Sequence, residues 1–336
     1  MQHSTKIMGL QQGNNKKAII IGDVNVDIIT PPFSPEQLLE GETSIVLDDF
    51  TTSLGGNAIN VAAFLASLGD DHLFLGGLGD CGNSIWIQQK CDELGINTKF
   101  SVMPNKSAGI TFALTYTEGR RQFVATLGTN KHITMDKLDL STLEDQDLSN
   151  IHLHRSGFWY TPRLKGQPTI ELFKKVISQG GETSLDVGWD PEGFSEQNRN
   201  VLFQTLKYTK FFFANEKEIK AMTQENDIKQ AYDILLNNSD IIEDPVIVVH
   251  RGERGCGIIR KEKREFIKPI VLEELINPTG SGDIFNGGFI HGLLNDLSNK
   301  KSAEFANLAA CVHISDIEKI YPTLEEIEIF KKAQNK

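Results

Sequence analysis

The sequence contains few cysteines, and their spacing argues against a disulfide framework or a zinc site. The four cysteines lie far apart along 336 residues, and no C-x-x-C pair occurs. Scattered cysteines of this kind are typical of reduced thiols, so the pattern favours a cytoplasmic protein. Each is expected to be a small buried hydrophobic residue. The four are Cys81, Cys91, Cys256 and Cys311.

Basic charge and long apolar runs are also lacking. The 34 Lys and Arg residues against 45 Asp and Glu give a net charge of −11. A surface of that sign does not favour binding to nucleic acid or to anionic membranes. No apolar run approaches the length needed to span a bilayer. Residues 1–16 are polar, lack the apolar core of a signal peptide and are expected to form a flexible tail.

Two familiar cofactor patterns are absent or incomplete. The phosphate-binding pattern G-x-x-x-x-G-K-[ST] does not occur. A G-x-G-x-x-G run at residues 77–82 fits a dinucleotide site, but the next strand, ending near Met103, carries no acid to hold a ribose. We interpret the run as a structural turn. It is the sole feature of the sequence that would support a dehydrogenase function. His152 and His154 share one strand face without a third zinc ligand, so we interpret both as structural.

Strands and helices alternate along most of the chain. A buried strand is expected at residues 17–24, and from residue 150 onward strands alternate regularly with helices. This order predicts an α/β fold with a doubly wound, mostly parallel sheet flanked by helices. Strand patterns within residues 27–51 and 98–128 are expected to form a small β-sheet lid. We therefore expect residues 17–336 to form a single domain with that lid.

The stretch at residues 277–294 combines a glycine turn with an apolar helix. Residues 279–282 read T-G-S-G. Proline does not fit inside a helix, so the helix is expected to begin after Pro278. A glycine turn that enters a helix suits an anion, because the first N–H groups have no partner and the dipole is positive. Asp283 is the first acid of this helix. It either caps the helix or acts as a general base beside an anion hole.

These motifs, taken together, resemble those of the ribokinase family, also called the PfkB carbohydrate kinases. The run T-G-S-G-D at residues 279–283 resembles its carboxy-terminal signature, and G-G-N-A-I-N at residues 55–60 its amino-terminal one. The resemblance implies a ribokinase-like fold and an ATP-dependent kinase that transfers the γ-phosphoryl group to a hydroxyl of a small sugar. It also implies Asp283 as base and an anion hole formed by the N–H groups of residues 280–283. The implied catalytic residues are Asp283, Gly280, Ser281 and Gly282, and the implied substrate residues are Asn25, Asp27, Gly55, Gly56, Asn57 and Asn60.

The nucleotide side of the site is implied by three further segments. Asn215 and Glu218 resemble a family motif that orders Mg²⁺ through water, so ATP and Mg²⁺ are the implied cofactors. Gly252 and Gly255 resemble the nucleotide loop, and Asn307 matches the region that flanks adenine. Each has a structural alternative. Asn215 can cap a helix beside a solvated Glu218, and Asn307 can belong to an ordinary packing helix.

Departures from the family pattern leave some expectations open. Asn277 stands where the family commonly has Asp, and loss of that charge weakens the expectation of a bound K⁺. Ser281 replaces an alanine and leaves the backbone N–H in place. A nucleoside kinase of the same family and a non-catalytic sugar-binding protein on this fold remain alternatives. The expected partners are a small sugar or nucleoside and, through the lid, a second copy of the chain.

Overall fold

A nine-stranded sheet runs through the centre of the protein. The computed structural model describes residues 16–34, 36, 44–118, 120–144, 147–238, 241–272, 276, 279–316 and 320–334. Seven neighbouring strands are parallel, and two antiparallel strands extend one edge. In spatial order the strands are β13 (Arg264–Ile267), β12 (Cys256–Ile259), β11 (Val246–His250), β10 (Phe211–Asn215), β9 (Glu182–Asp186), β8 (Ile151–Arg155), β1 (Lys17–Ile21), β4 (His72–Gly79) and β5 (Thr98–Met103).

Four strands form a second, smaller sheet, which we call the lid. Their spatial order is β3 (Thr51–Gly55), β2 (Asn25–Ile29), β6 (Gly109–Thr115) and β7 (Arg121–Thr126). Only residues 22–24 separate β1 in the main sheet from β2 in the lid. The side chain of Asn130 holds this connection by accepting from the Val24 N–H at 3.2 Å and donating to the Val24 carbonyl at 2.9 Å.

Helices cover both faces of the main sheet, which explains why β1 is apolar on both sides. Ile19 and Ile21 pack into one apolar cluster with residues of α3 to α6, and Ile20 packs into another with residues of α1, α7 and α8. The helices are α1 (Asn57–Ser67), α2 (Gly82–Glu93), α3 (Gln167–Ser178), α4 (Glu196–Leu206), α5 (Glu216–Thr223), α6 (Ile228–Leu236), α7 (Ser281–Leu294), α8 (Asn299–Ser315) and α9 (Leu324–Gln334).

Glycines bring α7 close to its neighbours. A Cβ atom at Gly287 would lie 2.9 Å from the Phe64 ring, and one at Gly288 would lie 2.9 Å from the Ala306 Cα. The helical cost of roughly 1 kcal/mol per glycine is therefore offset by close packing against α1 and α8. That packing fixes the helix whose first turn carries Asp283.

The predicted α/β class, the mostly parallel sheet and the small second sheet are confirmed. One boundary of the predicted lid is wrong, because β5 pairs with β4 in the main sheet over residues 98–103. A strand pattern shows that a segment is extended but not which strand it pairs with. The predicted tail lies outside the described residues, apart from Lys16. Among the described residues, no helix has the length and apolar character needed to cross a membrane.

Candidate active site

The first turn of α7 is built by a left-handed glycine. Gly280 has φ 82°, a conformation that glycine adopts without the cost of a Cβ clash. The first hydrogen bond of the helix runs from the Ile284 N–H to the Gly280 carbonyl at 3.0 Å. The N–H groups of the first turn therefore precede the helical hydrogen-bond pattern, as in an anion site. Among the described residues, a Cβ at Gly282 would meet the His250 ring at 3.7 Å and nothing closer.

Asp283 is buried among other acids. Burial raises the pKa of its carboxyl well above the usual value, and the nearby Asp186 carboxylate raises it further, followed by Asp23 and Asp27. The opposing contribution is a hydrogen bond of 2.9 Å that the Asn60 side-chain amide donates to Oδ2. A carboxylate held in this way has an increased affinity for a proton, which suits a general base.

A short chain of hydrogen bonds orients the carboxylate of Asp283. The Tyr321 hydroxyl donates to Oδ1 of Asn60 at 2.9 Å, so the Asn60 amide nitrogen faces Asp283. Burial and the nearby Asp283 raise the pKa of Tyr321, which keeps its hydroxyl a donor. The structure places Asn60 against the candidate base, and its expected contact with substrate stays a prediction.

The lid supplies a second polar group. The Asn25 amide donates to Asp27 Oδ1 and, at 3.0 Å, to the Thr111 hydroxyl on the next strand. Burial raises the pKa of Asp27 to about 6. A Cβ at Gly55 would lie 2.2 Å from the Asp27 carboxyl carbon, so a larger residue there would displace the carboxylate. The structure thus brings together three of the predicted substrate residues.

Asp23 has a structural role that sequence reasoning missed. Its carboxylate accepts from the Asn57 N–H at 3.2 Å and the Ala58 N–H at 3.0 Å, which caps α1. Gly56, at φ 112°, lies so close that a Cβ would be 2.7 Å from the Asp23 carbonyl oxygen. Gly56 and Asn57 thus both have backbone contacts with Asp23, and their expected contact with substrate stays a prediction. The signal available in the sequence was an acid two positions after the apolar strand β1.

Two further acids, Asp186 and Glu218, lie near the ends of β9 and β10. Asp186 accepts from the Ser156 hydroxyl at 3.1 Å, and burial raises its pKa to about 6. Burial, and then Asp186, raise the pKa of Glu218 to about 7. Glu218 and Asn215 also form a capping box at α5, with hydrogen bonds of 2.8 and 2.9 Å. The cap expected as the structural alternative is therefore present.

The chemistry of Asp186 and Glu218 fits a hard divalent cation. Both carboxyls are buried and Asp186 raises the pKa of Glu218, so a positive charge beside them would stabilise their ionised forms. Mg²⁺ prefers oxygen ligands and retains several waters. Across the described ranges, no group of three or more His, Cys, Asp or Glu side chains forms a ready-made metal site.

The hairpin between β11 and β12 contains the predicted nucleotide glycines. Gly252 has φ 55° with open space around it, whereas a Cβ at Gly255 would lie 2.2 Å from the Ile267 carbonyl oxygen. His250 bonds Asn286 through Nε2 at 3.0 Å, and burial lowers its pKa to about 4. Asn307 donates to the Lys268 carbonyl at 3.2 Å and so lies beside the end of β13.

Arg121 joins the lid to the glycine turn and was not anticipated from the sequence. Its Nη1 donates to the Thr279 hydroxyl, across 158 positions of chain. Partial burial lowers the pKa of its guanidinium. No local pattern around Arg121 could have indicated this contact, because it depends on how the two sheets are placed.

Comparison with known proteins gives a consistent result. The profile of the "pfkB family carbohydrate kinase" matches residues 15–326. An "uncharacterized sugar kinase" of Archaeoglobus fulgidus is 24% identical over 246 residues, covering 73% of this chain and 92% of that protein. An "ATP-dependent ribose-1-phosphate kinase" of Halopiger xanaduensis is 22% identical over 292 residues, covering 87% of this chain and 89% of that protein.

A solved structure supports the same assignment at the level of the fold. The Arabidopsis thaliana ribokinase complexed with ribose and ATP superposes with a TM-score of 0.75 at 19% identity, covering 94% of this chain and 98% of that one. The predicted ribokinase-like fold is therefore confirmed, and the chain belongs to the pfkB family of carbohydrate kinases.

Proposed function

We propose that the protein transfers the γ-phosphoryl group of ATP to a hydroxyl of a small sugar. The observation that carries this proposal is the position of Asp283, a buried carboxylate in the first turn of a glycine-led helix. Asp283 accepts the proton of the attacking hydroxyl. The N–H groups of Gly280, Ser281, Gly282 and Asp283 stabilise negative charge on the transferred group, and ADP leaves.

The lid residues Asn25 and Asp27 bind the sugar in this proposal. A carboxylate accepts hydrogen bonds from hydroxyls, and the Asn25 amide offers both a donor and an acceptor. Gly55, which pairs with Asn25 between β2 and β3, leaves room for the Asp27 carboxylate.

The nucleotide lies across the other side of the site. Glu218 and Asp186 would hold Mg²⁺, which would supply positive charge to neutralise the phosphates. Gly252 and Gly255 let the backbone approach the nucleotide, and Asn307 flanks the adenine. Asn277, on which the expectation about K⁺ depends, lies outside the described residues. Comparing activity in K⁺ and in a large organic cation tests that expectation.

The lid is also the proposed contact of a homodimer. Phe112 and Val124 are paired across β6 and β7 and expose 41% and 59% of their surface. Asp27 pairs with Thr111, and side chains alternate along a strand, so Phe112 and its partner Val124 lie on the face opposite Asp27. Light scattering tests this, because Phe112→Asp should convert a dimer into a monomer. A wild-type monomer at high concentration would exclude the dimer.

The activity is tested by ADP release from Mg·ATP with a panel of pentoses, hexoses, sugar acids, sugar phosphates and nucleosides. Asp283→Asn is assayed beside Asp139→Asn, which changes an exposed acid on the surface. Turnover of one sugar that is lost only with Asp283→Asn supports the proposal. A nucleoside preference would favour the nucleoside kinase. Sugar binding without ADP release or ATP binding would favour the non-catalytic alternative.

A further inference from the structure

Arg121 contacts the glycine turn at Thr279 and has no acidic partner among the described residues. Its neighbour Arg120 bonds Glu118 and lies over the Tyr116 ring, as surface arginines commonly do. Within the described part of the chain, no carboxylate lies within ion-pair distance of Arg121. A partly desolvated guanidinium that bonds only a neutral hydroxyl retains donors for an anionic ligand.

The lid register places Arg121 on the substrate side. Asp27 pairs with Thr111 on β6, and Thr115 on the same strand pairs with Arg121 on β7. Residues 111 and 115 differ by four positions, so their side chains project from the same face. Arg121 and Asp27 therefore lie on one face, displaced by about 13 Å along the strand direction. A sugar together with an extended arginine side chain spans such a distance.

A second polar group accompanies Arg121. The Thr115 hydroxyl is shielded from solvent and, within the described residues, has no hydrogen-bond partner. Buried hydroxyls normally have partners, so this one points to a missing ligand, since it lies beside a guanidinium for which the described residues supply no carboxylate. An anionic oxygen group would satisfy both side chains.

From this geometry we infer that the acceptor sugar carries a negatively charged oxygen group, either a phosphate ester or a carboxylate, which Arg121 binds. The inference rests on the proposed function. The carboxylates of Asp27 and Asp283 bind the hydroxyl-bearing end of the sugar and would repel a second negative charge there. The charged group of the acceptor therefore lies at the Arg121 end of the site, away from these acids.

A competing role for Arg121 is to contact the transferred phosphoryl group, since Thr279 adjoins the anion-binding turn. The two roles differ in what they affect. An arginine that binds the acceptor discriminates between charged and neutral sugars and mainly changes KM. An arginine that binds the transferred group lowers kcat for every acceptor by a similar factor.

The test pairs a neutral sugar with its phosphate ester and with its terminal carboxylate. The wild type is assayed beside Arg121→Gln, Arg121→Lys and the matched control Arg120→Gln, all checked by thermal unfolding. We expect the wild type to prefer one charged acceptor. Arg121→Gln should reduce kcat/KM for that acceptor by about 10- to 100-fold and change the neutral one by less than about threefold. For the charged acceptor, the kcat/KM of Arg121→Lys should lie between those of the wild type and Arg121→Gln. The kcat/KM of Arg120→Gln should match that of the wild type.

Calorimetric titration of the same sugars into the protein without ATP gives a readout independent of turnover. Charged-sugar binding that weakens with Arg121→Gln supports the inference, even if no acceptor is phosphorylated and the proposed function fails. Equal use of neutral and charged sugars by the wild type would overturn it. An equal loss of kcat with both acceptors would also overturn it and would assign Arg121 to the transferred phosphoryl group.

Discussion

Asn60 and Asp283 lie 223 positions apart in the chain and are joined by a hydrogen bond of 2.9 Å. Asn60 is in α1 and Asp283 in α7, two helices packed against each other through Gly287 and Phe64. The orientation of the candidate base therefore depends on the interface between two helices as well as on its own turn. This interface connects the two motifs that the sequence shows at opposite ends of the chain.

Replacing Asp283 with Asn should abolish most activity and leave the fold intact. General base catalysis contributes about 10²–10⁴-fold, so turnover should fall at least about a hundredfold. The variant should be no less stable than the wild type at neutral pH, because it removes a buried charge whose desolvation raises the pKa. Steady-state ADP release and thermal unfolding measure the two effects. Activity within a few-fold of the wild type would exclude Asp283 as the base.

Removal of the Tyr321 hydroxyl should impair catalysis moderately. Without its donor, the Asn60 amide is no longer held in the orientation that faces Asp283. A net hydrogen bond contributes about 0.5–1.5 kcal/mol, so Tyr321→Phe should lower kcat by about two- to tenfold. The matched control is Tyr232→Phe, because the Tyr232 hydroxyl is buried and has no partner in the described residues. Equal kcat values in the two variants would exclude the orienting role.

The local parts of this site could be predicted from the sequence, whereas the long-range parts could not. The glycine turn before α7 and the capping motif at Asn215 depend on residues a few positions apart, so their patterns are visible in the chain. The contact of Arg121 with Thr279 and the pairing of β5 with β4 depend on tertiary placement. Asp186 was overlooked because one acid after an apolar strand is a weak signal until the parallel sheet brings several strand ends together.

The acidic cluster should make the protein more stable at mildly acidic than at neutral pH. Folding raises the pKa values of Asp27 and Asp186 to about 6 and that of Glu218 to about 7. Between about pH 4 and 7 the folded state consequently binds more protons than the unfolded state, so the free energy of unfolding decreases as pH rises through this window. Urea unfolding at several pH values without Mg²⁺ measures this decrease in the free energy of unfolding.

The contribution of the cluster can be separated from that of other acids with Asp186→Asn. This variant removes one raised pKa and lessens the repulsion on Glu218. The decrease in unfolding free energy from pH 5 to 7 should therefore be smaller than in the wild type, by on the order of 2 kcal/mol. An identical pH dependence in the two proteins would contradict the raised pKa values.

Glu218 can be tested as a magnesium ligand separately from its role as a cap. Glu218→Gln preserves a side-chain acceptor for the Asn215 N–H but removes the charge, because a capping box accepts Glu or Gln. The Mg²⁺ concentration for half-maximal activity should rise by about tenfold or more, since one carboxylate fewer attracts the ion. Glu218→Ala removes both functions and should also lower the melting temperature. An unchanged Mg²⁺ requirement with Gln would leave Glu218 only the capping role.

The short connection at residues 22–24 joins the sheet that carries Asp27 to the core that carries Asp283. Asp27 belongs to the lid and Asp283 to α7, and the Asn130 side chain holds the Val24 backbone between them. In the proposed function a sugar contacts both carboxylates, so that its hydroxyl is held at the candidate base. A water molecule is too small to contact both side chains at once. The connection would therefore act as a safeguard against futile hydrolysis, coupling consumption of the nucleotide to the presence of an acceptor.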